Sequence, residues 1–208
     1  MDAVILRELS SALIAVSSPP TAPGWNHTLI ARLSGDRPQR PAAVLVGLRQ
    51  GRQPKLIFTV RTGDVATHVG EVAFPGGACD ASDTDALATA LRESGEEIGL
   101  DRRLVSPCGY LECFETLSGF CITPVVAWVN AQARLQPSPR EVAEIFEVPL
   151  AFFLEPENMR HYRASYHGVH YEMVEFYYGG HRIWGATAAM VCNLLARLGR
   201  LSCRVLSC

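Results

Sequence analysis

Neither sign of charge dominates this sequence. Its 208 residues carry 19 Lys and Arg against 21 Asp and Glu, a net charge of −2. No basic footprint for nucleic acid or an anionic membrane surface is present. No apolar run approaches the roughly 20 residues that span a bilayer. The opening MDAVILRELSSALIAV does not read as a secretion signal, because Asp2, Arg7 and Glu8 interrupt any apolar stretch. The seven cysteines, at 79, 108, 113, 121, 192, 203 and 208, are odd in number and show no CxxC spacing. Nothing here suggests a zinc knuckle or a disulfide framework, so reduced thiols in a cytoplasmic protein are expected. Internal repeats and low-complexity segments are also missing.

What is present describes an ordinary globular chain. The apolar fraction is 48% and the charged fraction 19%, and the length suits one domain with a well-buried core. The expected division is an N-terminal helix and Pro-rich connector over 1–40, then the main domain over 41–208. Ile5, Leu9, Leu13 and Ile14 recur at helical spacing, which predicts an amphipathic helix from about Asp2 to Val16. Ser17 to Trp25 is a proline-rich connector, and the stretch onward to Pro41 reads as mostly loop.

Ala42 to Leu48 is an apolar strand, with Lys55 to Arg61 its antiparallel partner across a polar turn. A short strand from Gly70 to Phe74 ends at a Pro-Gly-Gly break. Leu104 to Phe114 and Phe120 to Val129 read as strands, and Ala131 to Arg140 as a loop. Glu144 to Val148 is a strand, followed by a short helix that Pro149 starts and Leu154 ends. Tyr162 to Tyr166 and Tyr171 to Tyr178 form a hairpin about His167-Gly168. A last helix runs from Ala186 to Leu198, with Leu194, Leu195 and Leu198 on its buried side.

The chemistry is concentrated between Gly70 and Leu100, GEVAFPGGACDASDTDALATALRESGEEIGL. Its second half reads as a helix, N-capped at Ser82 or Asp83 and stopped at Gly99. At about 100° per residue, Leu87, Leu91, Ser94 and Ile98 share one arc of the wheel. Glu93, Glu96 and Glu97 share another, centred roughly 140° away. The apolar arc can pack on a sheet while three carboxylates point into a cleft. Like charges at i,i+4 oppose a helix by about 0.2–0.5 kcal/mol per pair. A divalent cation reverses the sign of that cost, and hard oxygen donors at this density suit Mg²⁺ or Mn²⁺ rather than zinc. In isolation, ExxEE is simply a solvated acidic face.

Arg92-Glu93-Ser94-Gly95-Glu96-Glu97-Ile98-Gly99-Leu100 resembles the second half of a Nudix box, REUxEExGU with U apolar. Ser94 stands at an apolar position, and Thr84 at that of the first Glu of the box, with Asp80 and Asp83 nearby. The GGxxDxxD form resembles the Nudix branch that hydrolyses coenzyme A. Ile57-Phe58-Thr59-Val60-Arg61-Thr62, Gly70 and Phe74-Pro75-Gly76-Gly77 are similar to that branch's signature, LLTxRSx3Rx3Gx3FPGG. Thr62 replaces the Ser and Ala66 the second Arg. Weaker likeness continues through Thr123-Pro124 and Ile183-Trp184-Gly185.

The resemblance implies an α/β fold, the Nudix α/β/α sandwich around a mixed sheet. It also implies Mg²⁺- or Mn²⁺-dependent hydrolysis of a small-molecule nucleotide diphosphate. Glu93, Glu96 and Glu97 are the expected metal ligands, with the Gly77 carbonyl as a further one. Gly76 would let the backbone approach a phosphate, and Arg61 would recognise one through a bidentate fork. Arg92 would orient the loop through Asp80 or Asp83. The general base is either a box glutamate such as Glu96 or a later one, Glu141, with Glu112 and Glu115 as competitors. His68 stands near the mouth of the site, and Trp184 or a neighbouring Tyr could stack an adenine. On coenzyme A the products are 3′,5′-ADP and 4′-phosphopantetheine. ADP-ribose or a dinucleotide remains an alternative substrate, and a non-catalytic ligand-binding module an alternative role.

Overall fold

The structure, a computed structural model, describes residues 9, 11–35, 37–62 and 70–200. A mixed sheet forms its centre. Strands β1 (Arg40–Arg49) and β7 (Phe120–Val129) run parallel over ten paired residues, from Arg40 opposite Phe120 to Arg49 opposite Val129. Both are buried on both faces, which is why their sequences are continuous apolar runs rather than alternating ones.

Strand β2 (Lys55–Arg61) returns antiparallel to β1, with Leu48 opposite Leu56. It also pairs with β3 (Val72–Ala73) and with β8 (Val142–Pro149). Strand β4 (Gly76–Ala78) lies against the first half of β1. On the far side of β7 are β5 (Val105–Tyr110) and β6 (Phe114–Glu115).

Alternate residues of the central strands face two cores. Ala43, Leu45, Ile57, Val125 and Ala127 meet Ala90 and Ile98 of helix α2 (Ala86–Ile98). Val46, Leu48, Phe58, Val126 and Trp128 share the other core with Ala188, Val191 and Leu195 of helix α4 (Gly185–Arg197). Burying each such large side chain stabilises the fold by about 1.5–3 kcal/mol. The layers are therefore helix, mixed sheet, helix, as the resemblance implies. Helix α3 (Leu150–Leu154) follows β8 directly. A second, antiparallel sheet joins β9 (Arg160–Tyr166), β10 (Val169–Tyr178) and β11 (His181–Ile183). His167 and Gly168 turn β9 into β10 with φ of 46° and 79°, the left-handed pair that a two-residue hairpin favours.

Several expectations need correction. Within the segment expected to be loop, His27–Ser34 is a helix, α1, burying Leu29, Ile30 and Leu33. No side chain caps it locally. It is held from a distance, because the Asn26 side chain donates to Glu115 O (2.7 Å) and accepts from Glu115 N (2.8 Å). The N-terminal helix lies largely outside the described residues. Its visible end stops before Val16, since Ile14 and Tyr110 exchange backbone hydrogen bonds.

Gly76–Ala78 does not merely break the chain after Phe74 but pairs as a strand. The single strand expected over Leu104 to Phe114 is two, with a register shift between Pro107 and Gly109. The N-cap of α2 is Asp85, which accepts from Ala88 N at 2.8 Å, rather than Ser82 or Asp83. Asp83 is engaged elsewhere. No helix among the described residues is long and apolar enough to cross a membrane.

Candidate active site

Helix α2 presents its glutamates to strand β4, where two consecutive glycines leave no side chains in the way. A Cβ on Gly76, whose φ is 154°, would lie 2.3 Å from Ala43 O. Gly76 N donates to Glu97 Oε2 at 3.0 Å. A Cβ on Gly77 would fall 2.6 to 2.7 Å from the Glu93 carboxylate. The glycines therefore make a cradle that only bare backbone allows.

The three glutamates are not equivalent. Glu97 is 4% exposed, whereas the Glu96 side chain is 56% exposed. From Glu93, Glu97 is rotated by about 40° toward Ala90 and Ser94, and Glu96 by about 60° the other way, toward solvent. Ser94, at its apolar position, is buried and returns its hydroxyl to Ala90 O at 2.7 Å.

Burial pushes the Glu97 carboxyl up to about 7. The Gly76 N–H and the Arg61 charge oppose that rise, while the Glu93 and Glu141 charges add to it. Burial likewise raises Glu93, against Arg92. Two desolvated carboxylates one helical turn apart, facing bare backbone, form an oxygen donor set that suits a hard divalent cation. Among the described residues no three His, Cys, Asp or Glu side chains are grouped so as to hold a metal ion. Glu93, Glu97 and the backbone at Gly76 and Gly77 do stand together.

Arg92 ties this arrangement together. Its Nε donates to Asp83 Oδ1 at 3.0 Å and its Nη2 to Asp83 Oδ2 at 2.9 Å and Ala78 O at 3.2 Å. Its Nη1 stands 2.9 Å from Glu93 Oε1 and 3.1 Å from Glu96 Oε2. Asp83 also accepts from Asp80 N and the Thr89 hydroxyl, both at 2.9 Å. Its carboxyl is held well below the usual range, chiefly by Arg92. Thr84, in the place of the first box Glu, is exposed, and the Arg partner is Asp83 one residue earlier.

The remaining residues singled out from the sequence separate into two groups. Arg61 and Glu141 lie near enough to Glu97 for their charges to act on it. Glu112 pairs instead with Arg197 of α4, and Glu115 with His27 beneath the connector (3.0 Å). Tyr162 lies in β9 and Trp184 at the N-cap of α4, and Arg182 lies 5.3 and 4.8 Å from their ring centres. His68 and Ala66 lie outside the described residues.

Surface clefts of about 410 and 380 Å³ open at the β1–β2 turn and beside Glu115, and neither is lined by Glu93 or Glu97. Residues that the sequence did not point to as holding the site together are Thr89 and Ser138. Ser138 N donates to Glu97 O at 2.8 Å, a contact without any local sequence signal.

The site is thus a paired-carboxylate helix facing a Gly-Gly strand, across a mixed sheet from a second helix. The NUDIX domain profile matches residues 38–169. The Nudix hydrolase NudL of Photorhabdus laumondii is 36% identical over 155 residues, 74% of this chain and 83% of that protein. NudL of Pectobacterium atrosepticum is 39% identical over 168 residues, 77% of this chain and 83% of that one. Among solved structures, a MutT/nudix family protein from Enterococcus faecalis is similar at 16% identity and a TM-score of 0.48. That likeness covers 79% of this chain and 63% of the other. This chain belongs to the Nudix family and is a Nudix pyrophosphatase. Enzymes of this family generally use divalent metal ions.

Proposed function

We propose that the protein cleaves the diphosphate of coenzyme A, yielding 3′,5′-ADP and 4′-phosphopantetheine, with Mg²⁺ or Mn²⁺ as the cation. The observation that carries this reading is the place of Arg61, the arginine of the coenzyme A signature. It ends β2 beside the buried Glu97, and its side chain has no carboxylate in salt-bridge contact among the described residues. A guanidinium beside such a carboxylate is suited to a phosphate. Glu93, Glu97 and the Gly77 carbonyl would hold the cation, with Glu96 at the exposed rim.

A bound cation would neutralise the diphosphate and make a water nucleophilic. The chain's own residues would supply the rest. Arg61 would bind the 3′-phosphate and so orient the substrate, the Gly76-Gly77 backbone would leave room for the diphosphate, and Arg92 would keep Glu93 and Glu96 from drifting apart. Glu141 would accept the proton of the attacking water, having a carboxylate whose charge already acts on both Glu93 and Glu97. Positioning and charge stabilisation dominate phosphoryl transfer, so these tasks account for most of the chemistry.

Ala66 in place of the second signature Arg favours a second reading, the same chemistry on ADP-ribose or a dinucleotide. Incubation with Mg²⁺ and a panel of diphosphates, with products identified by mass spectrometry, separates the two. Release of 3′,5′-ADP from coenzyme A in preference to cleavage of ADP-ribose supports the first. The opposite preference rejects it, and no turnover of any diphosphate rejects both.

A further inference from the structure

The turn carrying Glu141 is fastened from two sides. Gln136 N donates to Ile98 O at 2.9 Å and Ser138 N to Glu97 O at 2.8 Å, which ties the turn to the end of α2. From the end of β2, Thr62 N donates to Glu141 O at 3.1 Å and the Thr62 hydroxyl donates to Arg140 O at 2.9 Å. Within the turn, Glu141 N and Val142 N both return to Ser138 O, at 3.0 and 2.8 Å.

A register shift makes the second attachment available. Val60 pairs with Glu144, but Arg61 pairs with Val142, so Ala143 is skipped. Such a bulge re-aims the residues beyond it. Here it brings Thr62 alongside Arg140 and Glu141. The Glu141 side chain is exposed, so side-chain packing does little to fix its direction. Backbone attachment must do so.

We infer that Thr62 is a positioning residue for Glu141, its hydroxyl clamping the turn so that the carboxylate faces Glu93 and Glu97. The inference rests on the reading of Glu141 given above but needs no particular substrate. A Thr hydroxyl bound to a carbonyl at a strand end can also be purely local structure. The two roles differ in one respect, because a positioning role vanishes when Glu141 loses its charge.

The test uses the full chain with Thr62→Val, Thr62→Ser, Glu141→Gln and the double variant Thr62→Val/Glu141→Gln. Thermal melts come first, followed by Mn²⁺ affinity by calorimetry. The kcat and KM are then measured on whichever diphosphate the panel shows to be turned over best. Thr62→Val is expected to lower kcat about two- to tenfold, the range one neutral hydrogen bond carries. KM should be unchanged, and Mn²⁺ binding should weaken as the Glu141 charge turns away from Glu93 and Glu97. Thr62→Ser, which keeps the hydroxyl, should restore both. In the Glu141→Gln background, Thr62→Val should change neither, the signature of two residues acting as one unit.

An equal effect of Thr62→Val with and without the Glu141 charge would overturn the inference, as would no effect in a normally folded variant. If Thr62→Val folds poorly, Thr62→Ala takes its place in the same cycle. If no diphosphate is hydrolysed the proposed function fails, while the Mn²⁺ cycle still decides the role of Thr62.

Discussion

Gly77 stands so close to Glu93 that a methyl group on its α-carbon would lie 2.6 Å from the carboxyl carbon and 2.7 Å from both oxygens. The glycine is thus the room in which the carboxylate sits. Gly76 is confined differently, since a methyl group there would lie 2.3 and 2.5 Å from the backbone of Ala43 and Val44, and its φ is 154°.

The two neighbours should therefore fail in different ways. Gly77→Ala can be absorbed by swinging a side chain, so it should lower turnover at least tenfold with a modest loss of stability. Gly76→Ala must move a strand. Backbone strain of this kind costs about 1–3 kcal/mol before the clash is counted. Urea melts beside kinetics would check the contrast, and equal stability losses would contradict it.

Glu97 makes the metal-free protein sensitive to pH. Its carboxyl is raised in the fold from an ordinary 4.5 to about 7, chiefly by burial. The stability it contributes is whole below the unfolded value and is lost as pH rises through 7. In EDTA, wild type should therefore melt lower at pH 8 than at pH 6, and Glu97→Gln should flatten that dependence. Added Mn²⁺ should raise the melting temperature more at pH 8 than at pH 6, and hardly at all in Glu97→Gln. The same variant should lose turnover by orders of magnitude at saturating Mg²⁺. Near-normal activity would remove Glu97 from the chemistry.

Asp83 behaves in the opposite sense. Its bidentate partner Arg92 holds its carboxyl down. The stability it contributes is present above about 4 and is lost progressively as pH falls below that. Asp83→Asn should melt lower than wild type at pH 7, and the gap should narrow below pH 4. Because Arg92 also touches Glu93 and Glu96, activity should fall as well. A gap that persists unchanged to pH 2 would show that the fork is not responsible.

Arg61 should read the 3′-phosphate that coenzyme A carries and ADP-ribose lacks. One charge-assisted contact is worth about 1.5–3 kcal/mol, or roughly ten- to hundredfold in specificity. Coenzyme A should accordingly be hydrolysed better than its 3′-dephospho form, and Arg61→Ala should narrow the difference. Equal kcat/KM on the two compounds in wild type would leave Arg61 without that role.

Much of this protein was determined by residues near one another in the chain. The period of Leu87, Leu91, Ser94 and Ile98 sets α2, and the unbroken apolar runs of β1 and β7 announce strands buried on both faces. His167-Gly168 dictates its hairpin through backbone conformation alone, and the family is legible in the short stretch from Ile57 to Leu100. These are local matters, settled by torsion angles and by the spacing of side chains.

Only the tertiary structure decided what each of those elements would meet. A helical wheel places Glu93, Glu96 and Glu97 on one arc, but β4 covers one flank and water the other, so Glu97 is buried and Glu96 is not. Asp83 could cap α2 until Arg92 claims it and leaves the cap to Asp85. The eight residues of α1 are too few to hold a helix by themselves, and they depend on Glu115 from the far side of the chain. The turn that carries Glu141 meets Thr62 only because β8 bulges at Ala143 where it pairs with β2. Local periodicity specifies which way a side chain points along its own element. What stands opposite it depends on chain brought from far away, and that contact decides whether a charge is solvated, paired or left desolvated for a cation.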